Sequence, residues 1–124
     1  MLDKNDLNTA RGAVLLSSLP VEASTAILQR ALVRPYRRGE TIFCQGDVSE
    51  NIFVVLDGWV KLFRITPTGA EAVVGVFTKG RSFGEAIAFE DMPYPVTAEA
   101  VTDARLLLVR TSVVSSMMRE RPEI

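Results

Sequence analysis

Few side chains in this chain could carry out chemistry, and their types narrow the field quickly. The 124 residues contain no histidine and a single cysteine, Cys44. Imidazole is the commonest general base and the commonest ligand for zinc and non-haem iron, so nucleophilic triads and cupin-type metal centres lose their usual parts. One thiol cannot hold an iron–sulfur cluster or close an internal disulfide, which agrees with a reducing compartment. Cys44 falls at the end of the apolar stretch Thr41-Ile42-Phe43-Cys44, where it reads as a buried, inert thiol. Glu90-Asp91 is an adjacent carboxylate pair in a loop, a spacing that does not set two carboxyl groups apart for acid–base work, and reads as a solvated turn. Arg34, Arg37 and Arg38 form a small basic cluster near Tyr36, read as a solvated or interdomain patch. No catalytic or metal-binding set emerges, and the chain reads as a binding module rather than an enzyme.

Charge and length support the same reading. A net charge of −1 and a pI near 5.5 leave no basic surface for a phosphate backbone, so DNA contact by this segment is not expected. No apolar run approaches the roughly 20 residues that span a bilayer, and the acidic start Met1-Leu2-Asp3-Lys4-Asn5-Asp6 lacks a signal-peptide hydrophobic stretch, which predicts a cytoplasmic protein without membrane contact. The length accommodates one domain with one core.

The elements that would frame a site can be read from periodicity. Residues 5 to 17 are rich in Leu, Ala and Val and predict a helix, with Ser18-Leu19-Pro20 as a stop and restart. A second helix to about Ala31 places Ala23, Ile27, Leu28, Ala31 and Leu32 on one face. Beyond it, Gly39, Gly46, Gly58, Gly69 and Gly80 recur at intervals of 7, 12, 11 and 11 residues, the rhythm of hairpins. Between them lie 51–57 (NIFVVLD), 59–65 (WVKLFRI) and 71–77 (EAVVGVF), rich in β-branched and aromatic residues as strands should be. Trp59 is expected to pack. Two more strands are expected near Val96–Val101 and Arg105–Arg110, followed by a short helix capped by Thr111 with Val113/Met117 and Val114/Met118 as i, i+4 pairs. The expected fold is mainly β, a jelly-roll-like double-stranded β-helix at 32–110, with a helical lead-in at 1–31 and the start of a C-terminal helical region at 111–124.

The most informative stretch is Gly80-Arg81-Ser82-Phe83-Gly84-Glu85-Ala86-Ile87-Ala88-Phe89, followed by Glu90-Asp91-Met92-Pro93-Tyr94-Pro95 and a return to strand. With 37–47 (RRGETIFCQGD), 56–64 (LDGWVKLFR) and 101–109 (VTDARLLLV), it resembles the sensing domain of the Crp/Fnr transcription regulators, also called the cyclic-nucleotide-binding domain. That resemblance implies an effector pocket containing Leu62, Val74, Gly75, Phe83, Gly84, Glu85, Ala86, Tyr94 and Pro95. In the family the Phe-Gly-Glu turn faces the cyclic phosphate and its glutamate accepts from the ribose hydroxyl; Gly84, Glu85 and Ala86 match this half of the motif. The family's phosphate-binding arginine and the following serine or threonine fall at Tyr94 and Pro95, neither of which gives the charge-assisted pair that arginine gives a phosphate. Arg64 and Arg81 are the cations left to replace it, at positions that read as solvated. The departure argues against ordinary cyclic AMP or cyclic GMP binding.

Phe83–Phe89 and the Pro-Tyr-Pro loop look closer to the denitrification-regulator branch, associated with nitric oxide or redox signals and with haem as a proposed sensing group. Without histidine, an axial haem ligand would have to come from Cys44, a methionine, a tyrosine or the N-terminus. The resemblance further implies a longer parent regulator, with this piece stopping before a dimerisation helix and a DNA-reading helix-turn-helix. Partners would then be a small-molecule effector, a second subunit, and DNA through the C-terminal region. The alternatives are a cyclic-nucleotide sensor with an altered phosphate site, and a structural domain with a filled pocket.

Overall fold

The strand Asn51–Asp57 (β3) is apolar at every interior position because both of its faces are covered. Ile52, Val54 and Leu56 point one way, Phe53 and Val55 the other, and all five are buried. This computed structural model describes residues 3–85 and 92–120. Three helices come first: α1 (Lys4–Gly12), α2 (Val14–Ser17) and α3 (Val21–Arg30). Six strands flank β3 in the chain: β1 (Leu32–Tyr36), β2 (Thr41–Phe43), β4 (Val60–Ile65), β5 (Glu71–Phe77), β6 (Ser82–Phe83) and β7 (Thr97–Ala100). The last elements are β8 (Ala104–Arg110) and α4 (Thr111–Glu120).

The strands form two antiparallel four-stranded sheets, in the orders β1-β8-β3-β6 and β2-β7-β4-β5, which make the expected β-roll. Alternation on β3 and β8 divides the core in two. Ile52, Val54, Leu56, Leu107 and Val109 pack with Ala10, Ala13, Leu16, Ile27, Leu28 and Val114 of the helices. Phe53, Val55 and Leu106 face inward with Val60, Ala98 and Ala100 of the second sheet and with Phe43, Phe83 and Tyr94. The second sheet shows the one-sided pattern: Ala98 and Ala100 are buried, while Glu99 and Lys61 lie across from each other at 3.6 Å.

Several expectations need correction. The first helix breaks at Ala13, whose extended backbone (φ −65°, ψ 146°) separates α1 from α2. Leu32 is 63% exposed because α3 ends at Arg30 and Leu32 already belongs to β1. Cys44 is exposed, not buried. Strand β2 stops at Phe43, and Cys44 opens a turn in which its N–H donates to the Asp47 carboxylate at 2.9 Å. Trp59 is 54% exposed, because Val60 takes the inward position at the start of β4 and alternation turns its neighbour out. Met117 packs against the helical core beside the buried Val114, whereas Met118 is exposed. No helix among the described residues is long and apolar enough to cross a membrane.

One ion-paired cluster fastens the lead-in to the roll. Asp6, buried on α1, accepts from Arg105 of β8 at 2.7 Å, and Arg105 also reaches Asp57 at 2.9 Å. Asp6 also completes a capping box with Asp3. The Arg105 guanidinium holds the Asp6 carboxyl below the usual carboxylate range. A depressed folded-state pKa stabilises the fold above the unfolded-state value and loses that stabilisation as pH falls through the folded value. Asp6→Asn is therefore expected to cost about 2 kcal/mol at pH 7, less than a fully buried pair because Arg105 keeps Asp57. Urea unfolding should show that difference vanishing well below pH 4.

Candidate functional site

Phe83 and Gly84 lie at the end of the edge strand of the first sheet. Phe83 pairs with Phe53, and Ser82 with Val54, so β6 is the short outer strand beside β3. Phe83 is buried, and its ring lies 5.1 Å from that of Phe53 and 5.4 Å from that of Phe77. The chain then bends at Gly84, with φ at +94°, and is helical at Glu85. This left-handed backbone is the reason for glycine. A Cβ there would make only ordinary contacts, 3.4 Å from the Asn51 carbonyl oxygen and 4.0 Å from the Tyr94 ring.

Tyr94 is the second half of the site. It is buried and stacked on Phe43, with centroids 3.7 Å apart and planes 12° from parallel. Its hydroxyl donates to the Asn51 carbonyl at 2.8 Å and accepts from the Asn51 N–H at 3.3 Å. Its own backbone is fixed as well, through its N–H to the Asp47 carbonyl and the Gly46 N–H to its carbonyl. A phenol stacked on a neighbouring ring and bonded through its hydroxyl forms a wall, and offers no cation to an anion.

Glu85 follows Gly84 in the chain and has one oxygen without a donor. Its Oε1 is buried and accepts no hydrogen bond. Burial pushes the carboxyl pKa up, while the Ser82 hydroxyl and the residue's own backbone pull it back. A raised folded-state pKa means that ionisation weakens the fold: the penalty is absent below the unfolded-state value and grows as pH rises through the folded one. Glu85→Gln should therefore raise stability by about 1 kcal/mol at pH 8 and change little at pH 4, the small size reflecting partial access to solvent. Thermal melts at the two pH values measure this.

Of the other residues expected in the pocket, Leu62 packs against the same inner core as Phe83 and Tyr94, and it pairs with Gly75. A Cβ on Gly75 would stand 2.9 Å from the Phe77 ring, so glycine there lets that ring fold over the strand. Val74 is 55% exposed: it is the extra residue where the register slips between Leu62 and Phe63, which sends it outward. Pro95 is half-buried beside Tyr94. Ala86 lies outside the described residues, as do Glu90 and Asp91. Arg64 is exposed, and Arg81 lays its guanidinium over the Phe77 ring at 5.6 Å.

Reading the sequence missed the parts played by Asn51 and Phe43. Asn51 acts through its backbone, which leaves no side-chain signal. Phe43 was visible as a strand residue, but its partner is 51 positions further along the chain.

The described residues do not fit haem. Cys44, Met92 and Met118 are exposed, Met117 packs in the helical core, Tyr94 is engaged at both ring and hydroxyl, and Tyr36 is buried with Arg34 5.1 Å from its ring. No cluster of metal-ligating side chains occurs among the described residues. A cleft of about 440 Å³ opens elsewhere, between Tyr36, Arg37, Glu40, Asp57, Asp103 and Arg105. Its acids already have partners: Glu40 accepts from Arg37 N–H, Asp103 from Arg38 N–H, and Asp57 pairs with Arg105. It lacks the unsatisfied group that distinguishes the Glu85 site.

Comparison with known proteins supports the fold and gives the family. A crystal structure of a Ruegeria pomeroyi protein, provisionally assigned to cyclic nucleotide binding, is 51% identical and superimposes with a TM-score of 0.96 over 100% of this chain and 55% of its own. The CRP-like cAMP-activated global transcriptional regulator of Mycobacterium tuberculosis is 25% identical over 90% of this chain and 50% of its own length. The sensor domain of the transcriptional regulator DNR from Pseudomonas aeruginosa shares the fold, at 24% identity and a TM-score of 0.84, over 94% of this chain and 78% of its own. The chain thus spans about half the length of the curated regulator it matches. Residues 33–121 match the cyclic nucleotide-binding domain, and the chain belongs to that family.

Proposed function

We propose that this chain is the effector-sensing domain of a Crp/Fnr-type transcription regulator whose pocket works without an arginine clasp for a cyclic phosphate. The supporting observation is Tyr94, stacked on Phe43 and bonded to Asn51, at the position that the resemblance assigns to the family's phosphate-binding arginine. An anion brought against this wall would give up water without gaining a charged partner, at a cost of several kcal/mol. The effector acts by shifting the balance between two packings of the roll and the region that follows it, which in the full-length regulator would pair two subunits and present the DNA-reading domain. A nitric oxide or redox signal accords with the Pro93-Tyr94-Pro95 loop.

Calorimetry should give no saturable heat with cyclic AMP or cyclic GMP up to about 1 mM, since the charge-assisted pair that anchors the phosphate is gone. Micromolar affinity for either nucleotide would overturn the reading. It would favour the second one, a cyclic-nucleotide sensor with a rebuilt phosphate side, for which the retained Glu85 carboxylate is the argument.

A further inference from the structure

Among the described residues the helices build their core on the first sheet alone, through Ile52, Val54, Leu56, Leu107 and Val109. The outer side of the second sheet keeps large apolar side chains in water: Trp59, Ile65, Val73 and Val76 are about half exposed, and Val101 is exposed as well. We infer that this face is a two-fold interface with a second copy of the chain, laid sheet against sheet. The inference goes beyond the sensing reading and stands whatever the pocket binds.

Register supplies the argument. Lys61 lies opposite Glu99 on β7 and Val76 on β5, and Glu99 lies opposite Thr41 on β2, so these four form one row across the sheet. Two residues along, Trp59 lies beside Val101, whose N–H donates to the Trp59 carbonyl at 2.9 Å. The order β2-β7-β4-β5 has its midline between β7 and β4. A two-fold axis along that midline, parallel to the strands, exchanges β7 with β4 and β2 with β5. In such an isologous contact Trp59 of each copy meets the partner's Val101, Lys61 meets the partner's Glu99, and Val76 meets the partner's Thr41. Apolar groups then fall on apolar groups and a cation on an anion, with no foreign partner needed. Glu99 can take this second contact, because within its own chain it reaches Lys61 only at 3.6 Å, while Lys61 holds Glu71 at 2.8 Å. An ammonium has three donors, so Lys61 keeps Glu71 and adds the partner's Glu99. Packed sheets keep their strands within about 30° of one another, and the two central strands move least under that twist. The exposed apolar side chains match the largest patch of an ordinary monomer, several hundred Å², and overlap of two four-stranded faces falls somewhat short of the roughly 800 Å² per partner of a standard interface. A dimer with a Kd on the order of 10 to 100 μM follows.

The chain itself provides the probe, since Trp59 is its single tryptophan and stands at the contact. On dilution from about 1 mM to about 1 μM its emission should move to the red as sedimentation shows the dimer dissociating. Lys61→Glu brings two carboxylates together at each contact and Glu99→Lys two ammonium groups, so either variant alone should weaken the dimer about tenfold or more. An equimolar mixture of the two variants restores opposite charges at both contacts, and should dimerise within about threefold of the wild type. An ion pair inside one chain cannot produce that recovery. Both side chains stand on the solvent side of the sheet, and the dispersion of amide signals checks that each variant is folded. Trp59→Ala, followed by sedimentation, is a separate check and should weaken the dimer about tenfold. Met118→Lys, at an exposed position of α4, should leave association unchanged. A chain that stays monomeric at about 1 mM leaves this face to some other protein and overturns the inference. So do charge variants that stay monomeric on mixing, a dimer indifferent to Trp59→Ala, or one lost in Met118→Lys and kept in both charge variants.

Discussion

Gly58→Ala is expected to destabilise the protein by about 4 kcal/mol or more, enough to unfold a domain of ordinary stability. Two penalties coincide there. The residue has φ at +88°, which costs an L-amino acid about 1 to 2 kcal/mol. A Cβ would also stand 2.3 Å from the Asp103 carbonyl oxygen and 2.7 Å from the Ala104 Cα, and backbone cannot swing aside as a side chain can. Topology gives the contact its weight. The turn at Gly58 carries the chain from β3 in one sheet to β4 in the other, and the turn at Asp103 carries it from β7 back to β8. The two crossovers touch at Gly58, so moving them apart disturbs both registers. Gly69→Ala is the control: φ is +86°, yet nothing lies within 4 Å, so only the backbone cost of about 1 kcal/mol applies. Chemical denaturation of the two variants should separate them by about 3 kcal/mol; equal losses would mean that the crossover contact carries no weight.

The second large effect concerns Tyr94. Tyr94→Ala should cost about 4 kcal/mol, because it removes a fully packed ring and leaves the Asn51 N–H and carbonyl without their partner. Tyr94→Phe keeps the stack on Phe43 and loses only the hydroxyl, an expected cost of about 1.5 kcal/mol. The cavity in the alanine variant should accept phenol, which restores both ring and hydroxyl, so millimolar phenol should raise its melting temperature and leave the wild type unchanged. If phenol gives no differential shift, the slot beside Gly84 closes by collapse. Tyr94 would then be filling space that the fold could do without.

The strand pattern was legible because hairpin turns are local. Gly39, Gly46, Gly58, Gly69 and Gly80 all adopt positive φ, between 85° and 92°, and the strands at 51–57 and 71–77 begin and end where alternation and β-branching place them. The unbroken apolar run of β3 likewise announces a strand covered on both faces. Local signals failed where a boundary depends on what lies opposite. Trp59 and Leu32 have the composition of core residues, yet the phase of their strands turns them to solvent. Cys44 continues an apolar run in sequence, but pairing ends one residue earlier and a turn begins.

The chain's composition alone ruled out histidine chemistry, and residue types in order carried the Gly84-Glu85 half of a binding motif and the lack of an arginine at position 94. Residue identity is a local property, so these conclusions needed no coordinates. That Tyr94 stacks on Phe43 and bonds to the Asn51 backbone, that Glu85 keeps an oxygen buried without a donor, and that Val74 is turned outward were decided by the tertiary structure. Each depends on the backbone of β3, a neighbour on β2, or a slip in β-register between β4 and β5. Those groups are distant in the chain and meet only when the two sheets close.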